Sequence, residues 1–202
     1  MGIPFKLKLP TADDLKSLIQ KKGRGCYIYT ADISRAYRQL PVDPLDWPLL
    51  CISHEGKYYI DISQPFGLRT AALACQRTTD AVRWIMQQQE LDSLNYLDDF
   101  AGAESLKQQA DHAYDSLRSL LATLGLPEAT AKGTAPAQVA TWIGLEFDTI
   151  KMEIRIPPDK LESTLKLVRD WQHKSSATLT SLDTCWANCC IYHNVLGQPG
   201  CS

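Results

Sequence analysis

Two adjacent carboxylates, Asp98 and Asp99, lie between a short apolar run and a small-residue segment that ends at Gly102. This pattern predicts a tight hairpin with the acids at its tip. Two carboxylates side by side are costly to bury unless a cation or a proton neutralises them. The pair is therefore either a solvated turn, which is the commoner case for an isolated Asp-Asp, or part of a metal site.

A third carboxylate, Asp32, follows a β-rich and mostly apolar run that predicts a central strand over residues 26–33. Divalent-metal phosphoryl chemistry needs carboxylates that converge from separate strand ends, because Mg²⁺ takes hard oxygen ligands. In a two-metal site, one ion activates the attacking oxygen and the other stabilises the leaving pyrophosphate. If the two strands are neighbours, Asp32, Asp98 and Asp99 could hold such ions.

Composition shows that the chain can build a core to position these acids. Its 202 residues are 45% hydrophobic and 22% charged, which suits one sizeable domain with an appendage. It contains no apolar run of about 18 residues, and its first residues lack the pattern of a signal peptide. We therefore expect an intracellular chain with reduced thiols and no membrane span.

Charge is distributed unevenly along the chain. Residues 1–40 carry eight basic and three acidic side chains, although the net charge of the whole chain is −2. A basic beginning next to an acidic pocket suits a phosphate-rich ligand whose reacting end is held by metal. A solvated basic helix explains the same charge equally well, so charge alone does not decide between them.

Local signals predict helices and strands in an order typical of an α+β fold, with helices packed on a sheet. Thr11 followed by two acids predicts a helix start, and Gly125 with Pro127 predicts the end of a later helix. The first predicted helix begins at Thr11, a short turn of helix covers 34–39, and further helices cover 71–86 and the apolar stripe over 110–124. The last predicted helix begins at Pro157-Pro158 and has an apolar stripe of Leu161, Leu165, Val168 and Trp171. The predicted strands are 26–33, 49–53, 58–62, the two arms of the hairpin 92–102, then 139–147 and 152–156.

Three of the motifs resemble those of reverse transcriptases. The string Tyr96-Leu97-Asp98-Asp99 matches their Tyr-x-Asp-Asp box. Asp32, with the aromatic Tyr37 five residues further on, matches their first aspartate motif. The string Pro65-Phe66-Gly67-Leu68 matches the Pro-Phe-Gly-Leu loop of retrotransposon enzymes. Because the motifs occur in the family's order, a chance match is improbable.

The resemblance continues downstream and covers about residues 1–175. Lys132 and the segment 142–147 resemble the downstream lysine and the primer-grip segment of the same enzymes. The strings at 37–43 and 102–104 are most similar to DIRS-like retrotransposons, the elements that carry a tyrosine recombinase. On these grounds the chain is identified as a member of the retrotransposon reverse transcriptases.

This resemblance implies an RNA-directed DNA polymerase with an α+β palm, which is an antiparallel sheet with helices packed on one face, plus partial fingers and the start of a thumb. It implies RNA template, DNA primer and dNTPs as partners, and two Mg²⁺ ions as cofactor, with Mn²⁺ as the alternative. Asp32, Asp98 and Asp99 would be the catalytic carboxylates and metal ligands. Tyr37 would lie under the incoming sugar and obstruct a 2′-hydroxyl.

The resemblance also implies roles for residues around the acids. Phe66 and Gly67 would line the nascent base pair, where a larger side chain than that of glycine would intrude. Lys132 would stabilise or protonate the departing pyrophosphate. Trp142 and Gly144 would position the primer end. Without the ordered motifs, an aromatic side chain is more often core and a lysine more often surface.

The expected domain organisation follows from the same comparison. We expect residual fingers or linker at 1–25, palm at 26–150, a strand and helix leading to the thumb at 151–175, and an aberrant, poorly ordered tail at 176–202. Members of the family carry a basic fingers segment upstream of the first of these regions. The resemblance therefore implies a chain that is truncated at its N-terminus.

The tail has an unusual composition, with four of the seven cysteines of the chain. A tetrahedral zinc site from Cys185, Cys189 or Cys190, His193 and Cys201 is one interpretation, although paired C-x₂-C spacing is absent. The other is an out-of-frame tail from about residue 184. Codons for Leu-Leu-Gly-Lys-Leu, the family's thumb string, give Cys-Trp-Ala-Asn-Cys when read one base later, and this string stands at 185–189. The nucleotide sequence of the gene tests this interpretation.

Two other functions fit the sequence. One is a catalytically inactive retroelement remnant that binds nucleic acid through its basic beginning, which salt-sensitive binding without primer extension would indicate. The other is a metal-dependent nucleotidyltransferase that uses a different template. The Pro-Phe-Gly-Leu loop at 65–68 argues against the second of these.

Overall fold

The computed structural model describes residues 7–172, 174 and 176–183. Within them lie four α-helices and nine β-strands in a mixed arrangement. The helices are α1 (Ala12–Lys22), α2 (Ala71–Gln88), α3 (Lys107–Thr123) and α4 (Pro158–Gln172). The strands are β1 (Tyr27–Asp32), β2 (Cys51–His54), β3 (Lys57–Ile60), β4 (Ser93–Tyr96), β5 (Asp99–Glu104), β6 (Thr134–Ala137), β7 (Val139–Trp142), β8 (Leu145–Asp148) and β9 (Glu153–Arg155).

The central sheet has four antiparallel strands in the order β4-β5-β1-β6. Strand β1 lies inside the sheet, and its side chains from Ile28 to the end of the strand are buried. Such burial on both faces explains why its sequence is a continuous β-rich run rather than an alternating one. The register of β1 against β5 places Asp32 opposite Asp99 and Tyr29 opposite Gly102.

The two faces of the central sheet are covered by different layers. Helices α2 and α3 pack on one face, where Tyr29 and Phe100 of the sheet meet Leu117 of α3. On the other face, α1 and the second sheet, β7-β8-β9, pack against Ile28. The predicted antiparallel sheet with packed helices is confirmed, and the second sheet on the opposite face adds a layer that the sequence did not predict.

Helix α1 begins where the sequence predicted. The Asp14 carboxylate accepts hydrogen bonds from the backbone N–H of Thr11 at 2.7 Å and from its hydroxyl at 2.9 Å. Gly23 ends the helix with a positive φ of 95°, a conformation that glycine adopts without steric cost. Leu15 and Ile19 are buried against the sheet, so α1 belongs to the core packing. The domain boundaries proposed from the sequence stay predictions.

One strand prediction was wrong in its extent, and one observed strand was not predicted. Residues 139–147 do not form one strand, because Ile143 and Gly144 both have positive φ and turn the chain into the β7-β8 hairpin. The sequence also gave no indication of β6, a short edge strand that contains Pro136. Proline is tolerated there because an edge strand can leave one backbone N–H position unpaired.

The β2-β3 hairpin was predicted correctly and extends from the core. All its residues are exposed. It is connected to the turn after β1 by Arg38, whose guanidinium donates to both carboxylate oxygens of Asp61 at 2.8 and 2.6 Å. Both contacts come from one guanidinium nitrogen, Nη1, and this charge-assisted contact connects the extension to the turn after β1.

Helix α4 begins at Pro158, as predicted, and has no buried residue. Its predicted apolar stripe is only partly covered, since Leu161, Leu165 and Val168 are each about 40% exposed. The proposed zinc ligands and the proposed frame change at residues 184–202 lie outside the described residues. In the part of the chain that the structure describes, no helix is long and apolar enough to cross a membrane.

The close fit between Tyr29 and Gly102 generates a prediction about stability. Tyr29 is fully buried, and a Cβ added at Gly102 would overlap its ring. We expect Gly102→Ala to lower the free energy of unfolding by about 1–3 kcal/mol, the usual cost of overpacking a core, as measured by urea unfolding. In a Tyr29→Val background the same change should cost far less, and an equal cost in both backgrounds would contradict this explanation.

Candidate active site

Three carboxylates meet where β1 ends beside the β4-β5 hairpin. Asp32 is the last residue of β1 and is 6% exposed. Asp99 begins β5 directly opposite it, and Asp98 lies in the two-residue turn before β5. The backbone N–H of Ile33 donates to the carbonyl of Asp98 at 3.1 Å, which fixes the turn to the end of β1. The strands that carry Asp32 and Asp99 are neighbours in the sheet, which is the condition that the sequence analysis set for these acids to converge.

The acids carry more negative charge than their surroundings neutralise. Burial, a hydrogen bond with Asp32 and the charges of Asp32 and Asp98 together raise the pKa of Asp99 to about 7. Burial and the charge of Asp32 also raise the pKa of Asp98. The Oδ1 atom of Asp32 is buried and has no hydrogen-bond partner among the described residues. Such a group needs a proton or a cation.

Lys132 supplies one positive charge to this cluster. Its Nζ lies 3.2 Å from Oδ2 of Asp32, and this hydrogen bond raises the pKa of the lysine. The segment before it runs along the end of β1, since Ala129 N–H donates to the Asp32 carbonyl at 2.7 Å and Ser34 N–H to Pro127 at 2.8 Å. The structure thus brings the predicted Lys132 to the acids from 100 residues away along the chain.

A cavity of about 330 Å³ opens beside the acids. It is lined by Asp32, Asp99 and Lys132, by the predicted primer-positioning residues Trp142 and Gly144, and by a lysine that the sequence analysis missed, Lys160. A single lysine in the first turn of a predicted helix carries no sequence signal for a site. Only the structure, in which Lys160 of α4 lines the same cavity as Asp32 and Asp99, shows that this cation lies near the acids.

The predicted nucleotide-binding aromatics lie together, outside the lining of that cavity. The rings of Tyr37 and Phe66 meet edge to face, with their centroids 5.5 Å apart. Tyr37 is half-buried and packs against the core, whereas Phe66 is 77% exposed. Gly67 has a φ of 87°, and a Cβ there would meet no protein atom within 4 Å. Glycine is therefore favoured at this position by its backbone conformation, and any steric intrusion would affect a ligand rather than the protein.

The oxygen donors of the site are only partly arranged for a metal ion. Among the described residues, no group of three or more His, Cys, Asp and Glu side chains is arranged as a metal centre, and Lys132 contacts one oxygen of Asp32. The unpartnered Asp32 Oδ1 and the raised pKa values of Asp98 and Asp99 nevertheless show hard oxygen atoms that a cation would stabilise. These oxygen atoms are of the type that a divalent cation such as Mg²⁺ binds, and the ligand set stays a prediction.

An antiparallel sheet with two acids at a hairpin and a third on the adjacent strand defines a polymerase-type palm. Residues 3–147 match the family described as "Reverse transcriptase (RNA-dependent DNA polymerase)". This match covers more than half of the chain, and the chain belongs to the reverse transcriptase family. A comparison with curated proteins found no match.

Solved structures of foamy virus protease-reverse transcriptase share the fold. The complex of its dRH form with double-stranded DNA has a TM-score of 0.71 at 13% identity, covering 95% of this chain and 31% of that one. The complex with an RNA/DNA hybrid has a TM-score of 0.65 at 15% identity, covering 89% and 23%. A further double-stranded DNA complex has a TM-score of 0.64 at 14% identity, covering 93% and 36%. The chain thus spans about a quarter to a third of the length of these structures.

The raised pKa of Asp99 predicts the pH dependence of stability in metal-free protein. An ordinary aspartate has a pKa of 3.8, so between that value and about pH 7 the folded state keeps a proton that the unfolded state has released. This stabilising contribution is complete below pH 3.8 and is lost as the pH rises through about 7.

The comparison of wild type with Asp99→Asn isolates this contribution. Between pH 4 and pH 7, in EDTA, we expect the urea midpoint of the wild type to fall relative to that of Asp99→Asn. The surface variant Asp111→Asn, which loses an exposed pair with Lys107, serves as the matched control and should follow the wild type. Parallel pH profiles for wild type and Asp99→Asn would refute the assignment.

Proposed function

We propose that this chain is the polymerase core of an RNA-directed DNA polymerase, which adds deoxynucleotides to a DNA primer on an RNA template. The observation that supports this most directly is the register of β1 against β5, which sets Asp32 opposite Asp99 with Asp98 in the adjoining turn. Membership of the reverse transcriptase family supports the same activity. The nucleic-acid complexes of the foamy virus enzyme support RNA and DNA as partners of the shared fold.

In this proposal Asp32 and Asp98 hold two Mg²⁺ ions, or Mn²⁺ ions, and Asp99 shares the site. Ions held there would supply activation of the primer 3′-hydroxyl and charge neutralisation for the departing pyrophosphate. Lys132, already next to Asp32, can donate a hydrogen bond or a proton to the leaving group. Lys160 lines the same cavity and adds positive charge for a phosphate-bearing ligand.

The remaining site residues position the two substrates. Trp142 and Gly144 line the cavity beside the acids, which suits them to orient the primer end. The edge-to-face contact of Tyr37 with Phe66 builds an aromatic corner for the sugar and base of the incoming dNTP. Orienting both reactants removes much of the entropic barrier to joining them.

The element type is a finer part of the proposal. The strings at 37–43 and 102–104 support a DIRS-like retrotransposon as the source of the chain. The string at 185–189 supports a shifted reading frame in the tail. Both rest on the sequence alone.

Primer extension on an RNA template tests the proposed activity. With Mg²⁺ and dNTPs, we expect the wild type to extend a DNA primer and Asp32→Asn and Asp98→Asn each to reduce the rate at least about 100-fold, because metal-held charge stabilisation is worth several kcal/mol. The control Asp111→Asn removes an exposed carboxylate on α3 and should extend normally. Extension by both active-site variants at the wild-type rate would exclude this site.

Substitution of Tyr37 tests the proposed sugar contact. Tyr37→Ala should improve the use of ribonucleotides relative to deoxynucleotides by about 10- to 100-fold, because the obstruction to the 2′-hydroxyl is removed. The measurement is the ratio of kcat/KM for the two nucleotide classes. Tyr37→Phe keeps the ring and should keep the wild-type ratio, whereas an unchanged ratio in Tyr37→Ala would place the sugar elsewhere.

A further inference from the structure

A buried polar network joins α2 to the hairpin that carries Asp98 and Asp99. Three of its side chains are almost inaccessible to solvent: Gln76 is 2% exposed, Thr79 is 1% exposed and Asn95 is fully buried. Burying polar groups is costly unless their hydrogen bonds are made. A buried polar network between α2 and the hairpin that carries the acids therefore needs an explanation.

The side-chain amide of Gln76 is the centre of the network. Its Oε1 accepts from the backbone N–H of Leu97 at 2.8 Å. Its Nε2 donates to the carbonyl of Asn95 at 3.0 Å and to Oδ1 of Asp80 at 2.9 Å. The Asn95 side chain in turn donates to Thr79 at 3.0 Å and to the same Asp80 oxygen at 2.9 Å. One amide on α2 thus binds the backbone on both sides of Tyr96.

Leu97 is the residue that most needs this support. It precedes Asp98 in the two-residue turn, and its φ is +54°. A branched, non-glycine residue adopts this left-handed conformation only when its surroundings enforce it. The turn is held at two points, since Leu97 N–H donates to Gln76 and the Asp98 carbonyl accepts from Ile33.

We propose that Gln76 is a positioning residue for nucleotidyl transfer, which fixes the Leu97 turn so that Asp98 and Asp99 present their carboxylates to the metal-binding site. This inference rests on the function proposed above. Gln76 lies on α2 and contacts the backbone rather than the reacting groups.

The chemistry of the network requires a glutamine at this position. An amide offers an acceptor to Leu97 and two donors to Asn95 and Asp80 at the same time. A glutamate has no such donors and would place a second carboxylate against Asp80. A methionine fills a similar volume but makes none of the three hydrogen bonds.

Gln76→Met gives the first test. We expect hydrogen exchange of the Leu97 amide, followed by NMR, to become at least about 10-fold faster, because the amide loses its acceptor. We expect kcat for primer extension to fall about 10- to 100-fold, because misplaced acids lose orientation. The half-saturating Mg²⁺ concentration should rise. The KM for the primer–template should stay unchanged, because the proposal gives Gln76 no contact with the primer–template.

Thr78→Val is the matched control. Thr78 lies on the same helix and donates only within it, to the Ala74 carbonyl at 3.0 Å. It should leave Leu97 exchange, kcat and the Mg²⁺ requirement at wild-type values. Unchanged Leu97 exchange or unchanged kcat in Gln76→Met would overturn the proposal, and so would an equal loss in Thr78→Val, because the effect would then belong to the whole helix.

Gln76→Glu provides a second test of the proposal if Gln76→Met does not fold. It keeps the acceptor for Leu97 and loses both donors, so we expect a smaller rise in Leu97 exchange than in Gln76→Met and a kcat below the wild type. The second carboxylate next to Asp80 should also lower the melting temperature, so both measurements are made well below it. A wild-type kcat in this variant would overturn the proposal. If the wild type extends no primer, the proposed function fails, but the Leu97 exchange measurement still tests the contact by itself.

Discussion

The repulsion among three carboxylates is the constraint on which the rest of this structure depends. Asp32 and Asp99 face each other across β1 and β5, where like charges directly opposite one another are destabilising. Asp98 adds a third acid in the adjoining turn. The fold counters this repulsion with Lys132, which the segment along β1 delivers to Asp32, and with protonation of Asp99 in the absence of metal. The scaffold must supply the energy that holds these groups together.

This energy comes from the core packing that fixes the register of the central sheet. A slip of one residue between β1 and β5 would turn every side chain of a strand to the opposite face. Tyr29 fits over Gly102 only in the observed register, and the same register sets Asp32 opposite Asp99. The aromatic ring is fully buried among residues from α2 and α3. Core packing three residues before the acid therefore fixes the geometry of the site.

The features that could be predicted from the sequence are those set by local signals. The acid hairpin, the start of α1 at Thr11 and the end of α3 near Gly125 all follow from turn and capping residues. The break at Ile143 could not be predicted, because a β-branched residue in a left-handed conformation contradicts its own preference. Neither β6 nor the position of Lys160 has a local signal, since β1 and the second sheet impose them from a distance. The resemblance supplied the roles of the acids, which spacing alone left open.

Several residues with left-handed backbone conformations lie close to the predicted site residues. Six described residues other than glycine have positive φ, and two of them adjoin predicted site residues: Leu97 precedes Asp98, and Ile143 lies between Trp142 and Gly144. A third, Arg35, lies two residues before Tyr37. Residues in such conformations persist only where their surroundings determine them. The left-handed Leu97 is held by the Gln76 side chain, and the Asp98 carbonyl accepts from Ile33, so contacts from outside the hairpin hold the acids beside Asp32. The site is therefore a property of the packed layers around it, and the buried hydrogen bonds from α2 are as much a part of it as the carboxylates.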